Sequence, residues 1–194
     1  TKSIEEKITS KTKAIIPVSI YGLSSDIDKI MSIAQQNDLI VIEDNAECFL
    51  GENNNRIVGS IAHMASFSFQ ASKHLTSGEG GMVITNDRDF AEKVRKFNSL
   101  GYTNVGAEKA KITKKEIQDP NYLRHDYLGL NYRMSELCAA VALAQLQRLD
   151  ELVEMRIKIA DLYNKAIDNC NWLFPQFNPT NYKNTYWAYV VRLD

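Results

Sequence analysis

The chain has 194 residues, 44% of them hydrophobic and 24% charged, a balance that excludes intrinsic disorder and allows a sizeable buried core. Lys and Arg number 23 against 24 Asp and Glu, for a formal net charge of -1, so no bulk field draws the chain to nucleic acid or an anionic membrane. Any anion it binds must be held by a local site. The longest apolar run, 137–144, falls far short of the roughly 18 residues of a membrane span. With the polar start Thr1-Lys2-Ser3 this predicts a cytoplasmic protein. Cys48, Cys138 and Cys170 are widely separated and lack CxxC spacing, which suggests neither a disulfide framework nor a metal site.

The predicted elements alternate strand and helix. Lys13 to Val18 reads as a buried strand closed by Tyr21-Gly22, with Pro17 arguing for its end or an edge position. Asp26 can cap a following helix, on which Ile27, Ile30, Met31, Ile33 and Ala34 recur at helical spacing until Asn37-Asp38. Leu39 to Ile42 is a second strand with Glu43-Asp44 at its carboxyl end, completing a βαβ unit. A polar turn at 52–56 precedes a strand over 62–69, and a Gly-rich break at 77–81 precedes another over 82–85. Residues 87–99 read as an amphipathic helix with Phe90, Val94 and Phe97 on one face, and 101–119 as a Lys-rich surface loop. Two helices follow, 135–149 and 151–169, and 189–194 reads as a strand getting under way. The class is α/β with mostly parallel pairing, and the chain is expected to be a fragment of a longer protein.

Ligands of open α/β sheets gather at the carboxyl ends of the strands. Asp44 stands at such an end, where its carboxylate either caps a turn or holds a buried cation or protonated ring nitrogen. Lys73 follows the end of another strand, among hydroxyls and aromatics. It is either a surface lysine or a pocket amine available for Schiff-base chemistry. Ser66, Ser68 and Ser72, with Gly78, Gly80 and Gly81, would suit a phosphate, although most Gly-rich turns only connect elements. No GxSxG elbow, Walker A loop or GxGxxG fingerprint is present.

The ordered motifs Val41-Ile42-Glu43-Asp44-Asn45-Ala46-Glu47, Val58-Gly59-Ser60, Phe67-Ser68-Phe69 with Lys73, Gly78-Glu79-Gly80-Gly81-Met82 and Gly129-Leu130-Asn131-Tyr132-Arg133-Met134-Ser135 are together specific. They resemble the DegT/DnrJ/EryC1/StrS family of sugar-nucleotide aminotransferases, fold type I enzymes dependent on pyridoxal 5'-phosphate (PLP), and in particular the branch that includes perosamine synthases. The resemblance implies a large PLP-binding domain over 1–150, with 151–194 as a connecting helix and the start of a small C-terminal domain. It implies that Lys73 forms the Schiff base with the cofactor and moves the substrate proton, while Asp44 pairs with the pyridinium nitrogen. Ser68 would bind the phosphate. Glu47 would lie near the ring, where many relatives carry Gln; a carboxylate there must be protonated or turned aside. Asn131, and with it Arg133, would reach the phosphate of the neighbouring subunit's cofactor, which implies a homodimer with shared sites.

The family's earlier Gly-Ser/Thr phosphate segment and its ring-stacking residue do not occur in this stretch. The implied reaction moves an amino group from an amino acid, glutamate by expectation, to a nucleotide-linked keto-deoxy sugar, serving polysaccharide or natural-product synthesis. Two alternatives stand beside it. One is a sugar dehydratase of the same fold, in which histidine replaces the lysine; the other is a non-catalytic binding or regulatory protein.

Overall fold

The computed structural model describes residues 2–106 and 113–194. They form two compact units, Thr1–Ile84 with Glu136–Asp194, and Thr85–Ser135.

The first unit opens with α1 (Lys2–Glu5), β1 (Ala14–Ile15) and a 3-10 turn at Ile20–Gly22, followed by α2 (Ile27–Gln36) and β2 (Ile40–Asp44). β3 (Glu52–Asn53), β4 (Arg56–Ile57), β5 (Met64–Ser68) and β6 (Gly81–Ile84) come next. The second unit carries α3 (Arg88–Asn98) and α4 (Lys114–Gln118). The chain then supplies α5 (Glu136–Leu146), α6 (Leu149–Ile167), β7 (Leu173–Pro175), β8 (Tyr182–Lys183) and β9 (Val191–Leu193) to the first unit.

The main sheet has the order β1-β2-β5-β6, with β1 at one edge. Pro17 has no N–H to donate and ends the strand, and only its carbonyl serves the ladder, accepting from the Asp44 N–H at 2.9 Å. The β1/β2 pairing is parallel, as the βαβ pattern predicts, and β2/β5 is parallel as well. β6 runs antiparallel to β5. The connection from Ser68 to Gly81 is a compact turn in which the Phe69 N–H donates to the Gly80 carbonyl, so the chain reverses directly beside β5. Gly81 suits the close pairing, since a Cβ there would stand 2.8 Å from the Phe67 carbonyl oxygen. β7 and β9 pair antiparallel, so 189–194 does contain the predicted strand.

α2 forms as its sequence dictates. The Asp26 carboxylate accepts the Lys29 N–H at its first turn, and Ile27, Ile30 and Ala34 bury against Leu39 and Val41 of the sheet. Full burial of each such isoleucine contributes roughly 1.5–3 kcal/mol. Along β2 the side chains alternate, so Val41 and Glu43 are buried on one face while Ile40, Ile42 and Asp44 lie on the other.

In the second unit Asp87 caps α3 through the Asp89 and Phe90 N–H groups. The expected surface loop over 101–119 is corrected in its last part by α4, which a capping box starts: Thr113 accepts the Glu116 N–H, and the Glu116 carboxylate accepts the Thr113 N–H at 2.8 Å. The Thr-x-x-Glu pattern was readable, but the surrounding lysines masked it. Residues 107–112 of that predicted loop lie outside the described residues.

Candidate active site

The carboxyl edge of the sheet is built from β2 and β5, where Asp44 pairs in register with Ser66. Ser68 therefore lies two residues further along the neighbouring strand. Glu43, although acidic, belongs to the scaffold. Its carboxylate, 1% exposed, accepts the N–H of Gly59 at 3.0 Å, that of Ala62 at 3.1 Å and the Asn45 amide at 3.2 Å. Buried Asn45 in turn accepts the Ser19 hydroxyl at 2.7 Å. This network fixes the strand end and leaves Asp44 facing the other way.

Asp44 Oδ1 accepts the Ala46 N–H at 3.1 Å, an Asx turn. Among the described residues no group donates to Oδ2. The turn carries Glu47 back toward the 3-10 turn, where Glu47 Oε2 accepts the Tyr21 N–H at 2.9 Å. Its other oxygen, Oε1, lies 3.5 Å from Lys73 Nζ, and the Lys73 and Glu47 side chains are 14% and 19% exposed. The carboxylate is thus turned aside onto the lysine and a backbone amide.

Lys73 sits in a turn between β5 and β6 that is held by its own polar groups. The Gln70 side-chain oxygen accepts from both the N–H and the hydroxyl of Ser72, at 2.8 and 2.7 Å, and the Lys73 N–H donates to the Gln70 carbonyl at 3.0 Å. Of the three serines proposed for an anion, Ser72 spends its hydroxyl on Gln70 and Ser66 donates to the Glu43 carbonyl at 3.5 Å. Ser68 differs: its oxygen accepts the Gln70 N–H at 3.3 Å, which leaves its O–H proton to donate elsewhere. Gly78 spends its N–H on the Thr76 hydroxyl, and the Gly80 carbonyl receives the Phe69 N–H, so both work in closing this turn.

The side chains that complete the surroundings of Lys73 come from 114 residues further on and from Tyr21. The Lys73 ammonium stands 4.4 Å from the centre of the Trp187 ring, and Tyr21 and Trp187 stack with planes 7° apart. Tyr21 holds φ at 60°, a conformation that favours glycine and costs a tyrosine about 1 kcal/mol or more. Nothing local in sequence ties position 187 to position 73 or marks either ring as part of the site. The only signal was the bulky residue before Gly22. At that glycine φ is 102°, and a Cβ would collide with the Tyr186 main-chain nitrogen.

His74, beside the lysine, is buried. Its Nε2 bonds the Thr185 carbonyl at 2.9 Å, while Nδ1 has no hydrogen-bond partner among the described residues. Burial drives its pKa down to about 4 despite the Thr185 carbonyl, which favours the cation. The folded pKa lies below the unfolded value near 6.5, so the contribution to stability is present above pH 6.5 and is lost as pH falls toward 4, by on the order of 3 kcal/mol. Chemical denaturation between pH 7 and 4.5 is expected to show this slope and His74→Phe to flatten it. An unchanged slope in that variant contradicts the assignment. Burial likewise pushes the Cys48 thiol up to about 12, and it donates to the Gly22 carbonyl at 3.2 Å as a structural group.

Asn131 belongs to the second unit, where it is exposed and bridges Ser99 in antiparallel register. The structure thus brings Lys73 and Glu47 together, sets Asp44 and Ser68 on adjacent strand ends, and places Asn131 in a separate unit.

The α/β fold is that of PLP-dependent aminotransferases, which are among its structural neighbours. The chain aligns with Helicobacter pylori PseC, an aminotransferase involved in the biosynthesis of pseudoaminic acid, at a TM-score of 0.86 and 26% identity, over 99% of this chain and 48% of that one. The sequence profile of the DegT/DnrJ/EryC1/StrS aminotransferase family matches residues 1–194, and the chain belongs to that family. A GDP-perosamine synthase of Escherichia coli O157:H7 is 38% identical over 166 residues, covering 86% of this chain and 42% of the relative. An E. coli GDP-4-keto-6-deoxy-D-mannose-3-dehydratase with bound hydrated PLP shares the fold, at a TM-score of 0.84 and 24% identity over the whole of this chain and 50% of that one. The chain thus spans about half the length of these proteins, or less. No helix among the described residues is long and apolar enough to cross a membrane.

Proposed function

We propose that this chain is the lysine-bearing part of a PLP-dependent aminotransferase that moves an amino group from an amino acid, glutamate in the first instance, to a nucleotide-linked keto-deoxy sugar. The observation that carries the proposal is the Lys73 amine, held beside Glu47 in the turn that follows β5, in a chain of this family.

The groups left open by the protein's own bonding suit PLP. Asp44 Oδ2 matches a ring N–H, the Ser68 O–H matches a phosphate oxygen, and Lys73 offers the primary amine that an aldehyde requires. PLP, when bound, supplies an aldehyde for amines to condense with and a ring that withdraws electrons from the reacting carbon. Asp44 then holds the proton on the ring nitrogen through a charge-assisted hydrogen bond. Lys73 would hold the cofactor through its amine and would move the proton at the substrate carbon. Glu47 orients that amine by receiving it at Oε1 while Tyr21 fixes Oε2.

Asn131 is proposed to reach the cofactor phosphate of a second subunit, so the working unit is a homodimer, placed in the cytoplasm. The partition into a large domain to residue 150 and a small one from 151 is part of the same proposal. The presence of Lys73 where the dehydratase branch uses histidine favours amination over dehydration.

The test is to incubate the full-length protein with PLP, glutamate and GDP-4-keto-6-deoxymannose. The expected products are an amino sugar nucleotide, by mass spectrometry, and an equal amount of 2-oxoglutarate. Loss of a sugar hydroxyl without nitrogen gain instead supports the dehydratase. No change with any keto sugar nucleotide supports a binding protein.

A further inference from the structure

The aromatic face against Lys73 has no part in the chemistry so far. Trp187 is fixed from several directions. Its indole N–H donates to the Ser72 carbonyl at 3.1 Å, directly before the lysine. The Arg156 guanidinium donates to the Trp187 carbonyl at 2.9 Å and to the Ser72 carbonyl at 3.4 Å, tying the two segments through one side chain. Upstream, the Thr185 N–H donates to the Gly22 carbonyl at 2.9 Å, and the Thr185 carbonyl bonds His74. Segment 184–187 is therefore latched to both residues that flank Lys73.

The consequence falls on the amine. With the indole face 4.4 Å from Nζ and the Glu47 carboxylate at 3.5 Å, the free ammonium is attracted from two sides. We propose that Trp187 is a positioning residue for Lys73: its ring face and Glu47 form a cradle that keeps the ammonium in one place, and the latch from 184–187 sets that cradle. This rests on Lys73 being the reactive amine. Once the lysine has taken the substrate proton, an ammonium on four rotatable bonds is thereby kept where it must give that proton back instead of sampling solvent.

The test reads the amine itself. Full-length protein prepared without cofactor is treated with trace acetic anhydride, and acetylation of Lys73 relative to the other lysines is quantified by peptide mass spectrometry. Trp187→Leu, which keeps an apolar side chain but removes the ring face, is expected to raise Lys73 labelling about threefold or more, the size of a partly shielded cation–π contact. Trp187→Phe keeps a ring face and is expected to stay near wild type. Equal labelling in the two variants, or no rise in the leucine variant, overturns the proposal.

A reciprocal measurement does not depend on the leucine variant folding. Lys73→Met is expected to change the tryptophan emission of the wild-type protein and to leave that of Trp187→Phe unaltered; the same emission change in both backgrounds, or in neither, overturns the proposal. If cofactor labelling finds another lysine, the proposed function fails while these measurements still report on the cradle, so the two failures are distinguishable.

Discussion

Lys73→Ala is expected to reduce amino transfer by about 10³-fold or more, since one side chain both holds the cofactor and moves the proton. The effect should lie in kcat, because the substrate's own binding groups are untouched. Lys73→Arg should fare no better, as a guanidinium stays protonated and cannot act as nucleophile or base. Because the missing group is a primary amine, methylamine at high concentration is expected to restore part of the rate to the alanine variant. Steady-state kinetics on the full-length protein check all three, with a thermal melt to show that the variants fold. Activity of Lys73→Ala within tenfold of wild type would remove the lysine from the mechanism.

Asp44→Ala is expected to lower the rate by about 10²- to 10³-fold, the usual cost of removing one preorganised electrostatic partner. Without the carboxylate the ring nitrogen loses its proton, and the ring withdraws electrons poorly. The fold should survive, because among the described residues the Asp44 side chain makes a single hydrogen bond, accepting the Ala46 N–H, worth about 1 kcal/mol. Its main-chain bonds to Pro17 and Ser19 remain. Asp44→Asn is expected to be as slow as the alanine variant, since an amide keeps the size but not the charge. Near-normal kcat in either variant, measured with saturating PLP, would take Asp44 out of its role.

Much of this was legible in the sequence because the decisive patterns are local. The α2 cap at Asp26, the apolar spacing of Ile27, Ile30 and Ala34, and the strand ending in Glu43-Asp44 each depend on residues a few positions apart. The assignment of Asp44 and Lys73 to strand ends follows from the same patterns. The division of labour between Glu43 and Asp44 follows from strand alternation, since neighbours face opposite sides.

What escaped was long range. That Glu47 turns onto Lys73 depends on Tyr21 adopting positive φ, and that Trp187 covers the lysine depends on Gly22, Arg156 and His74 bringing 184–187 alongside. No periodicity encodes such contacts. The direction of β6 is not encoded locally either, as a strand's hydrophobic pattern is the same in either orientation.

The central claim is that Lys73 carries the cofactor, and one measurement addresses it directly. The full-length protein is mixed with PLP, its ultraviolet-visible spectrum is recorded before and after borohydride, and the reduced protein is digested and mapped. The predicted result is loss of the visible band with a pyridoxyl group fixed on Lys73 alone. A folded protein that binds PLP but carries the group on another lysine, or on none, would contradict it.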